Sequence, residues 1–485
     1  MKDAGLAALG AAGAAALPRR GCEGETGGPP RRKPNIIFIL IDDFGWTDLG
    51  CYGSTFYDTP HIDRLAATGM RFTDAYAACP VCSPTRASIM TGKHPARLHL
   101  TNFLVGNRWP QNAPIRPVQW QHFLPLEEVT IADALKAGGY ATGYVGKWHL
   151  GNDPYTPEAQ GFDYNVAGCH MGAPRTYFDP YKIPKLADRK PGEYLTDRLT
   201  EEAERFIEMN QDRPFFLCFA HYAVHIPLQA KKEHIAKYEA RKKAAPASDA
   251  PVFGTEGDHK VRLVQDHPVY AGMVESMDES VGRIMAQLDR LGLARDTVIL
   301  FMSDNGGLST AEGQPTSNLP LRAGKGWLYE GGIREPMIVR WPGVTPPGST
   351  CPVPVISDDF YPTMLQMAGL PLRPKQHMDG TSMVPVLGGE KSLDREAIYW
   401  HYPHYSNQGG RPGGAVRAGD WKLIEHYEDG RLELYNLADD LGEKTDLAAR
   451  VPDKARDLRK MLAAWRDRVG AQMPSPDPDH RPAGG

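Results

Sequence analysis

The chain has 485 residues, 41% of them hydrophobic and 24% charged, with a formal net charge of −4. That length suits roughly two to three domains with a large core. The weak net charge gives no bulk attraction to nucleic acid, and no apolar run reaches the ~20 residues a membrane helix needs. The seven cysteines are scattered, and their odd number in a long chain excludes a disulfide scaffold.

Residues 1–17 read MKDAGLAALGAAGAAAL, followed by Arg19, Arg20, Cys22 and a Gly/Pro/Arg stretch to Lys33. Residues 1–33 are therefore expected to be an export signal and linker, sending the protein to the periplasm or the medium. The competing reading is an Ala-rich helix. The segment is similar to the middle of a twin-arginine signal without its leading Arg pair, which implies a misplaced start. Cys22 raises lipoprotein anchoring, but Arg19-Arg20-Gly21 is a poor lipobox, so no lipid anchor is expected.

Residues 35–41, NIIFILI, form an unbroken apolar run of the kind buried on both faces of a parallel sheet. It ends at Asp42-Asp43. The same design recurs at 141–145, running into Gly146-Lys147-Trp148-His149, and at 214–220, leading to His221 and His225. It recurs at 297–302, before Ser303-Asp304-Asn305-Gly306-Gly307, and at 336–341. Helical periodicity fills 128–137, 196–209 and 270–291. Alternating strands and helices predict an α/β fold over 34–375, with a mostly parallel sheet flanked by helices. Sites in such sheets lie beyond the carboxyl ends of the strands, so the polar residues after each strand should meet on one rim. Residues 240–262 read as a polar surface insertion. Beyond 375 the texture changes. Short strands at 397–402, 414–416, 422–426 and 431–435 and a helix over 454–468 predict a small antiparallel sheet plus helix, spanning 376–472. The tail, 473–485, is expected to be disordered.

Asp42, Asp43, Asp304 and Asn305 make a set of hard oxygens suited to Ca²⁺ or Mg²⁺ rather than zinc. Each pair alone fits an ordinary turn; two pairs, each directly after an apolar strand, favour a metal. Lys147, His149, His225 and Lys325 supply cations and proton carriers, Lys325 from the Gly324-Lys325-Gly326 loop. The stretch A78-C-P-V-C-S-P-T-R86 holds a C-x-x-C pair, Cys79 and Cys82. Ser83 reads as a helix N-cap and Pro84 as the first helical residue, with the helix running through 85–91. Cys82 then lies at a helix N-terminus, which lowers a thiol pKa, and Arg86 is one turn on. A redox pair lacks thioredoxin-like flanks, and a zinc site lacks a second ligand pair.

Cys82-Ser83-Pro84-Thr85-Arg86, extended by Thr91-Gly92-Lys93-His94-Pro95, is similar to the C-x-P-x-R element of the type I sulfatases of the alkaline phosphatase superfamily. The resemblance spans about Asn35 to Pro474 and includes Gly146-Lys147-Trp148-His149-Leu150-Gly151, Asp304-Asn305-Gly306-Gly307 and Gly324-Lys325-Gly326. It looks closest to secreted bacterial carbohydrate sulfatases of the galactosamine-6-sulfatase-like group, and implies an alkaline phosphatase-like fold.

The resemblance implies that a maturation enzyme oxidises Cys82 to formylglycine, whose hydrated form is the nucleophile. It implies one calcium ion on Asp42, Asp43, residue 82, Asp304 and Asn305, with Arg86 steadying residue 82. Lys147, Lys325 and His225 would bind the sulfate ester and His225 would protonate the leaving alcohol. His149 would deprotonate the hydrate so that sulfate is eliminated. The substrate would be a sulfated carbohydrate. His170, after Gly161-Phe162-Asp163, is a candidate substrate contact, as are Arg322, His401 and His404. Loops 100–125, 168–185 and 401–411 are expected to set specificity. Two alternatives stand beside this reading: a phosphonate monoester or phosphodiester hydrolase of the same superfamily, and a catalytically dead, calcium-dependent glycan-binding protein.

Overall fold

The computed structural model describes residues 33–106, 109–246 and 249–481, and the expected export segment lies outside the described residues except for Lys33. Asn35–Ile41 runs through the middle of a nine-stranded sheet, with every residue buried. Thr297–Ser303 and Phe215–Ala220 flank it, both parallel to it. Ala141–Gly146 pairs in parallel with Phe215–Ala220, and Tyr164–Val166 extends the sheet on that side. Alternate residues of the central strand feed two cores. Ile37, Ile39 and Ile41 pack with helices Pro60–Thr68, Leu195–Met209 and Pro268–Arg290. Ile36, Phe38 and Leu40 pack with Cys82–Thr91, Ile131–Ala137 and Phe360–Met367. Both faces of the sheet are covered, which is why its strands are apolar without alternation.

Arg334–Arg340 enters antiparallel, between Thr297–Ser303 and Met70–Tyr76. This corrects the expectation that every strand delivers polar residues from its carboxyl end. Arg334–Arg340 meets the site rim with its amino end, so the loop before it, carrying Lys325, reaches the same place. Ser349–Cys351 and Val355–Ile356 finish the edge, parallel to Met70–Tyr76. The sheet is mixed and mostly parallel, the alkaline phosphatase-like arrangement expected.

The C-terminal part is an antiparallel sheet of Ile398–Tyr402, Gly413–Ala418, Trp421–His426 and Leu432–Asn436. Helix Pro452–Val469 covers it with Leu458, Leu462 and Trp465. The polar insertion holds the end of helix Lys232–Ala244 and a hairpin, Phe253–Glu256 with His259–Arg262. The expected disorder of the tail is corrected through residue 481. Ser475–Pro476 pairs with Ile115–Arg116, and Arg116 binds Asp477 at 3.2 Å and Asp479 at 3.1 Å.

A buried ion cluster ties this sheet to the catalytic half. Lys422 Nζ lies 2.9 Å from Glu330 and 2.8 Å from Glu443, with all three side chains at 0% exposure. Glu330 also accepts from Arg334 at 3.1 Å and opens the turn Glu330–Ile333, five residues beyond Lys325. Removing the shared ammonium leaves two buried carboxylates facing each other. Lys422→Met is expected to cost about 3–5 kcal/mol, seen as a lower urea midpoint at unchanged slope; an unaltered midpoint would refute the role of the cluster.

Candidate active site

The central strand and its parallel neighbour deliver Asp42-Asp43 and Asp304-Asn305 side by side, all four fully buried. Asp43 N–H donates to Asp304 Oδ1 at 3.3 Å, and Asn305 Nδ2 donates to Asp43 Oδ1 at 2.8 Å. Three cations answer the three carboxylates. Lys147 Nζ donates to Asp42 Oδ2 at 2.6 Å, Lys325 Nζ to Asp43 Oδ2 at 2.8 Å and Arg86 Nε to Asp304 Oδ2 at 2.8 Å. His225 Nε2 stands 3.4 Å from Asp43 Oδ2 and 3.2 Å from Lys325 Nζ.

Burial dominates the titration of these groups. It pushes the Asp42 carboxyl well up, against the pull of Lys147 and with the help of Asp304 and Asp43. Burial acts the same way on Asp43 but is overcome by His225 and Lys325, which hold that carboxyl below its usual range. Burial drives His225 down to about 3 despite Asp43, and drives His149 well down with Lys147 adding to the effect. Both imidazoles are neutral at pH 7, as proton acceptors must be.

Cys82 is the first residue of helix Cys82–Thr91, and the N-cap is Val81, in extended conformation without a side-chain cap. The expected Ser83 cap is corrected. Ser83 Oγ instead accepts from Leu104 N–H at 3.2 Å, and Thr85 Oγ1 donates to the Cys79 carbonyl at 3.0 Å. Pro84 still fits, because the first turn leaves its missing N–H without a partner in any case. Cys82 Sγ lies 3.3 Å from His149 Nδ1, and His149 Nε2 meets the Leu104 carbonyl. Arg86, one turn along, bridges Asp304 and the Lys147 carbonyl, the latter at 2.6 Å. Burial raises the Cys82 thiol, so the depressed thiol pKa expected of a helix N-terminus is also corrected. Cys79 is buried beside the Thr101 carbonyl at 4.0 Å, away from the carboxylates.

The donor set fits a hard divalent cation. Asp42 Oδ1 and Asn305 Oδ1 are buried without a hydrogen-bond partner, an arrangement that costs free energy unless something positive faces them. Asp42, Asp43 and His225 bring ligand atoms within 4.8 Å of one another. The oxygens of Asp42, Asp43, Asp304 and Asn305 suit calcium or magnesium, a set to which the His225 nitrogen does not belong.

The remaining candidates separate. His401 is buried with Nδ1 2.7 Å from Tyr427 Oη and Nε2 2.9 Å from the Gln472 carbonyl, so both ring nitrogens are engaged in packing and the expected substrate contact is corrected. His404 is buried against Thr101 Oγ1 at 2.8 Å. Arg322 is committed to Glu256 at 2.9 and 2.7 Å and to Tyr435 Oη and the Glu443 carbonyl at 3.1 Å each. It clamps the 253–262 hairpin to the C-terminal sheet rather than facing the carboxylates. His170 is exposed on the segment whose Cys169 carbonyl accepts from His149 N–H at 3.0 Å. The Leu104 carbonyl was not foreseeable, since every residue carries one.

Residues 34–370 match the family model for sulfatases, and residues 323–467 match that of the N-sulphoglucosamine sulphohydrolase C-terminal region. The chain belongs to the sulfatase family. It is a type I sulfatase, a sulfuric ester hydrolase. A sulfatase of Formosa agariphila is 33% identical, covering 90% of this chain and 89% of its own. The N-acetylgalactosamine-6-sulfatase of Canis lupus familiaris is 35% identical, over 78% of this chain and 70% of its own. The solved structure of Ps i-CgsB in complex with k-i-k-neocarrahexaose is 31% identical with a TM-score of 0.74, covering 90% of this chain and 93% of that one. The phosphonate monoester hydrolase of Agrobacterium radiobacter, at 21% identity and a TM-score of 0.62, covers 90% of this chain and 96% of its own and shares the fold.

Gly172 exposes how tightly the sulfatase site is packed. A Cβ there would fall 2.5 Å from His149 Cε1 and 2.6 Å from its Nε2. Gly172→Ala must displace the His149 ring, and small misplacements of a reacting group cost about 10²-fold in rate. The expected result is a turnover loss of at least ~10-fold with little change in thermal midpoint; wild-type turnover would show that the ring is not needed where it stands.

Proposed function

We propose that this sulfatase removes sulfate from a carbohydrate, with residue 82, converted to formylglycine, as nucleophile and calcium held by Asp42, Asp43, Asp304, Asn305 and residue 82. The observation that carries this reading is the meeting of Cys82 Sγ with His149 Nδ1 at 3.3 Å beside a buried oxygen set. A sulfated sugar is supported by the names of the relatives, which include an N-acetylgalactosamine-6-sulfatase and a protein solved with a neocarrahexaose.

When bound, calcium supplies positive charge to the sulfate oxygens, and the hydrated formylglycine supplies a hydroxyl where a thiol stands in the unmodified chain. The chain's own residues do the rest. Lys147 and Lys325 face the substrate sulfate as preorganised cations, in the manner of the clamps on a transferring phosphoryl group. Their present partners, Asp42 and Asp43, keep both ammonium groups fixed before substrate arrives. Arg86 holds Asp304 and the turn after Lys147 in register with the helix that presents residue 82. His225, its Nδ1–H on the Ile226 carbonyl at 3.0 Å, accepts from Lys325 Nζ through Nε2 at 3.2 Å, and so relays the Lys325 proton to the leaving alcohol. His149, fixed by the Leu104 carbonyl, takes a proton from residue 82 to release sulfate.

Two experiments test the assignments. Cys82→Ala should abolish hydrolysis of 4-nitrophenyl sulfate and of N-acetylgalactosamine 6-sulfate with the fold intact, whereas Cys79→Ala should keep most of it. Intact mass of active native protein should be about 18 Da below the unmodified chain, the difference between a thiol-bearing and an aldehyde-bearing side chain at residue 82. Inactivation by Cys79→Ala without unfolding, or full activity at unmodified mass, would refute the choice of Cys82. Faster turnover of bis(4-nitrophenyl) phosphate would favour the phosphodiesterase alternative.

The metal assignment is read without turnover. Prolonged chelation should lower the thermal midpoint, and calcium should restore it, because a ligand bound only by the folded state stabilises it. Asp304→Asn should not show the calcium-dependent rise. A midpoint indifferent to chelator and calcium would count against the site.

A further inference from the structure

Helices Lys232–Ala244 and Pro268–Arg290 pack side by side, and His234, Glu275 and Glu279 meet across their seam with ligand atoms within 4.8 Å of one another. Glu275 and Glu279 are one turn apart on the same face of the longer helix. His234 Nδ1 lies 3.2 Å from the Gly272 carbonyl and 3.1 Å from Ser276 Oγ. A carbonyl only accepts, so Nδ1 carries the hydrogen. Nε2 then turns to the seam, 3.2 Å from Glu279 Oε1. With the imidazole neutral, that places a lone pair against a carboxylate oxygen, which is repulsive unless a positive centre stands between them.

The two carboxylates are arranged to match. Glu275 takes Lys237 at 2.7 Å through Oε1, while its Oε2 is buried without a partner. Glu279 takes Lys231 at 2.9 Å through Oε2, leaving Oε1 for His234. The lysines are themselves shared: Lys231 with Asp197 at 3.0 Å, and Lys237 with Asp58 at 2.7 Å. Arg241 also binds Asp58 at 2.7 Å. Four carboxylates, Asp58, Asp197, Glu275 and Glu279, thus face three cations, Lys231, Lys237 and Arg241, leaving one negative charge when His234 is neutral.

We propose that His234 Nε2, Glu275 and Glu279 bind a divalent transition-metal ion of the zinc class, with water in the fourth position. One imidazole and two carboxylates suit tetrahedral zinc; His234 Nε2 and Glu279 Oε1, 3.2 Å apart, already stand at the spacing of two such ligands, and Glu275 would draw in to complete the set. They are too few for calcium, which takes six to eight oxygens. The Nδ1–H bond to the Gly272 carbonyl is the outer contact that fixes the tautomer of a metal-bound histidine. The site has a structural consequence. His234 lies in the first turn of the helix that follows loop 225–231, and that loop begins at His225. An ion there pins the loop behind His225 to helix Pro268–Arg290.

The test titrates the untagged, calcium-loaded full-length enzyme with zinc chloride by calorimetry at neutral pH and follows thermal unfolding in parallel. The expected result is one saturable zinc site, a raised midpoint, and the same behaviour in Asp304→Asn, the variant lacking a ligand of the catalytic metal, which separates this site from the catalytic centre. His234→Ala should weaken binding by at least ~10–100-fold. Because His234 is buried and its loss can unfold the chain, the near-isosteric double change Glu275→Gln/Glu279→Gln is the second variant, with the same loss expected. No saturable zinc binding in the wild type would overturn the proposal and leave the seam held by a proton on His234. Undiminished binding in the double variant would overturn it equally.

Discussion

Everything at the catalytic edge of this protein follows from placing three carboxylates, Asp42, Asp43 and Asp304, at the ends of two adjacent parallel strands and excluding water from them. Charges so close and so dry repel strongly, and each must find its own counter-charge. Lys147, Lys325 and Arg86 come from three separate parts of the chain to supply it. The same requirement fixes the helix that carries Cys82, because Arg86 cannot reach Asp304 unless that helix starts beneath the strand ends. The catalytic geometry is thus a by-product of charge neutralisation in the core.

The second buried cluster, Glu330, Lys422 and Glu443, extends this logic to the C-terminal sheet. The segment from Lys325 to Arg334 is anchored at one end in the carboxylate cluster and at the other in the ion cluster. Two close approaches in between admit only glycine. A Cβ on Gly331 would fall 2.4 Å from the Arg322 carbonyl, and one on Gly332 2.1 Å from the Trp327 carbonyl. Through this short loop the small sheet is mechanically part of the active site although it donates no ligand to the carboxylate cluster.

Much of this was legible in the sequence because buried parallel strands write themselves as apolar runs. NIIFILI runs into Asp42-Asp43 and TVILFMS into Asp304-Asn305, the two pairs that the fold brings together. Met70–Tyr76 was not legible in the same way: MRFTDAY mixes charge with apolar residues, since it lies toward the sheet edge. The direction of Arg334–Arg340 was hidden for a different reason, as apolar runs carry no sign of polarity. Ser83 and Pro84 suggested a cap two residues too late because Ser83 is recruited by a distant loop. His401 looked available only because sequence cannot show Tyr427 and the Gln472 carbonyl closing on its two nitrogens. The tail was misjudged on composition, which has no knowledge of the short strand waiting at Ile115–Arg116.

The helix of Cys82 has a consequence for the life history of the molecule. All ten of its residues are buried, and Cys82 itself is 2% exposed. A second macromolecule cannot grip the C-S-P-T-R segment once it is enclosed by the Leu104 loop, the His149 turn and the sheet edge. Any enzyme that alters this cysteine must therefore meet the chain during synthesis or transit, while the segment is still an extended peptide. Folding then acts as a deadline: chains that close early keep a thiol in the centre of an otherwise complete site.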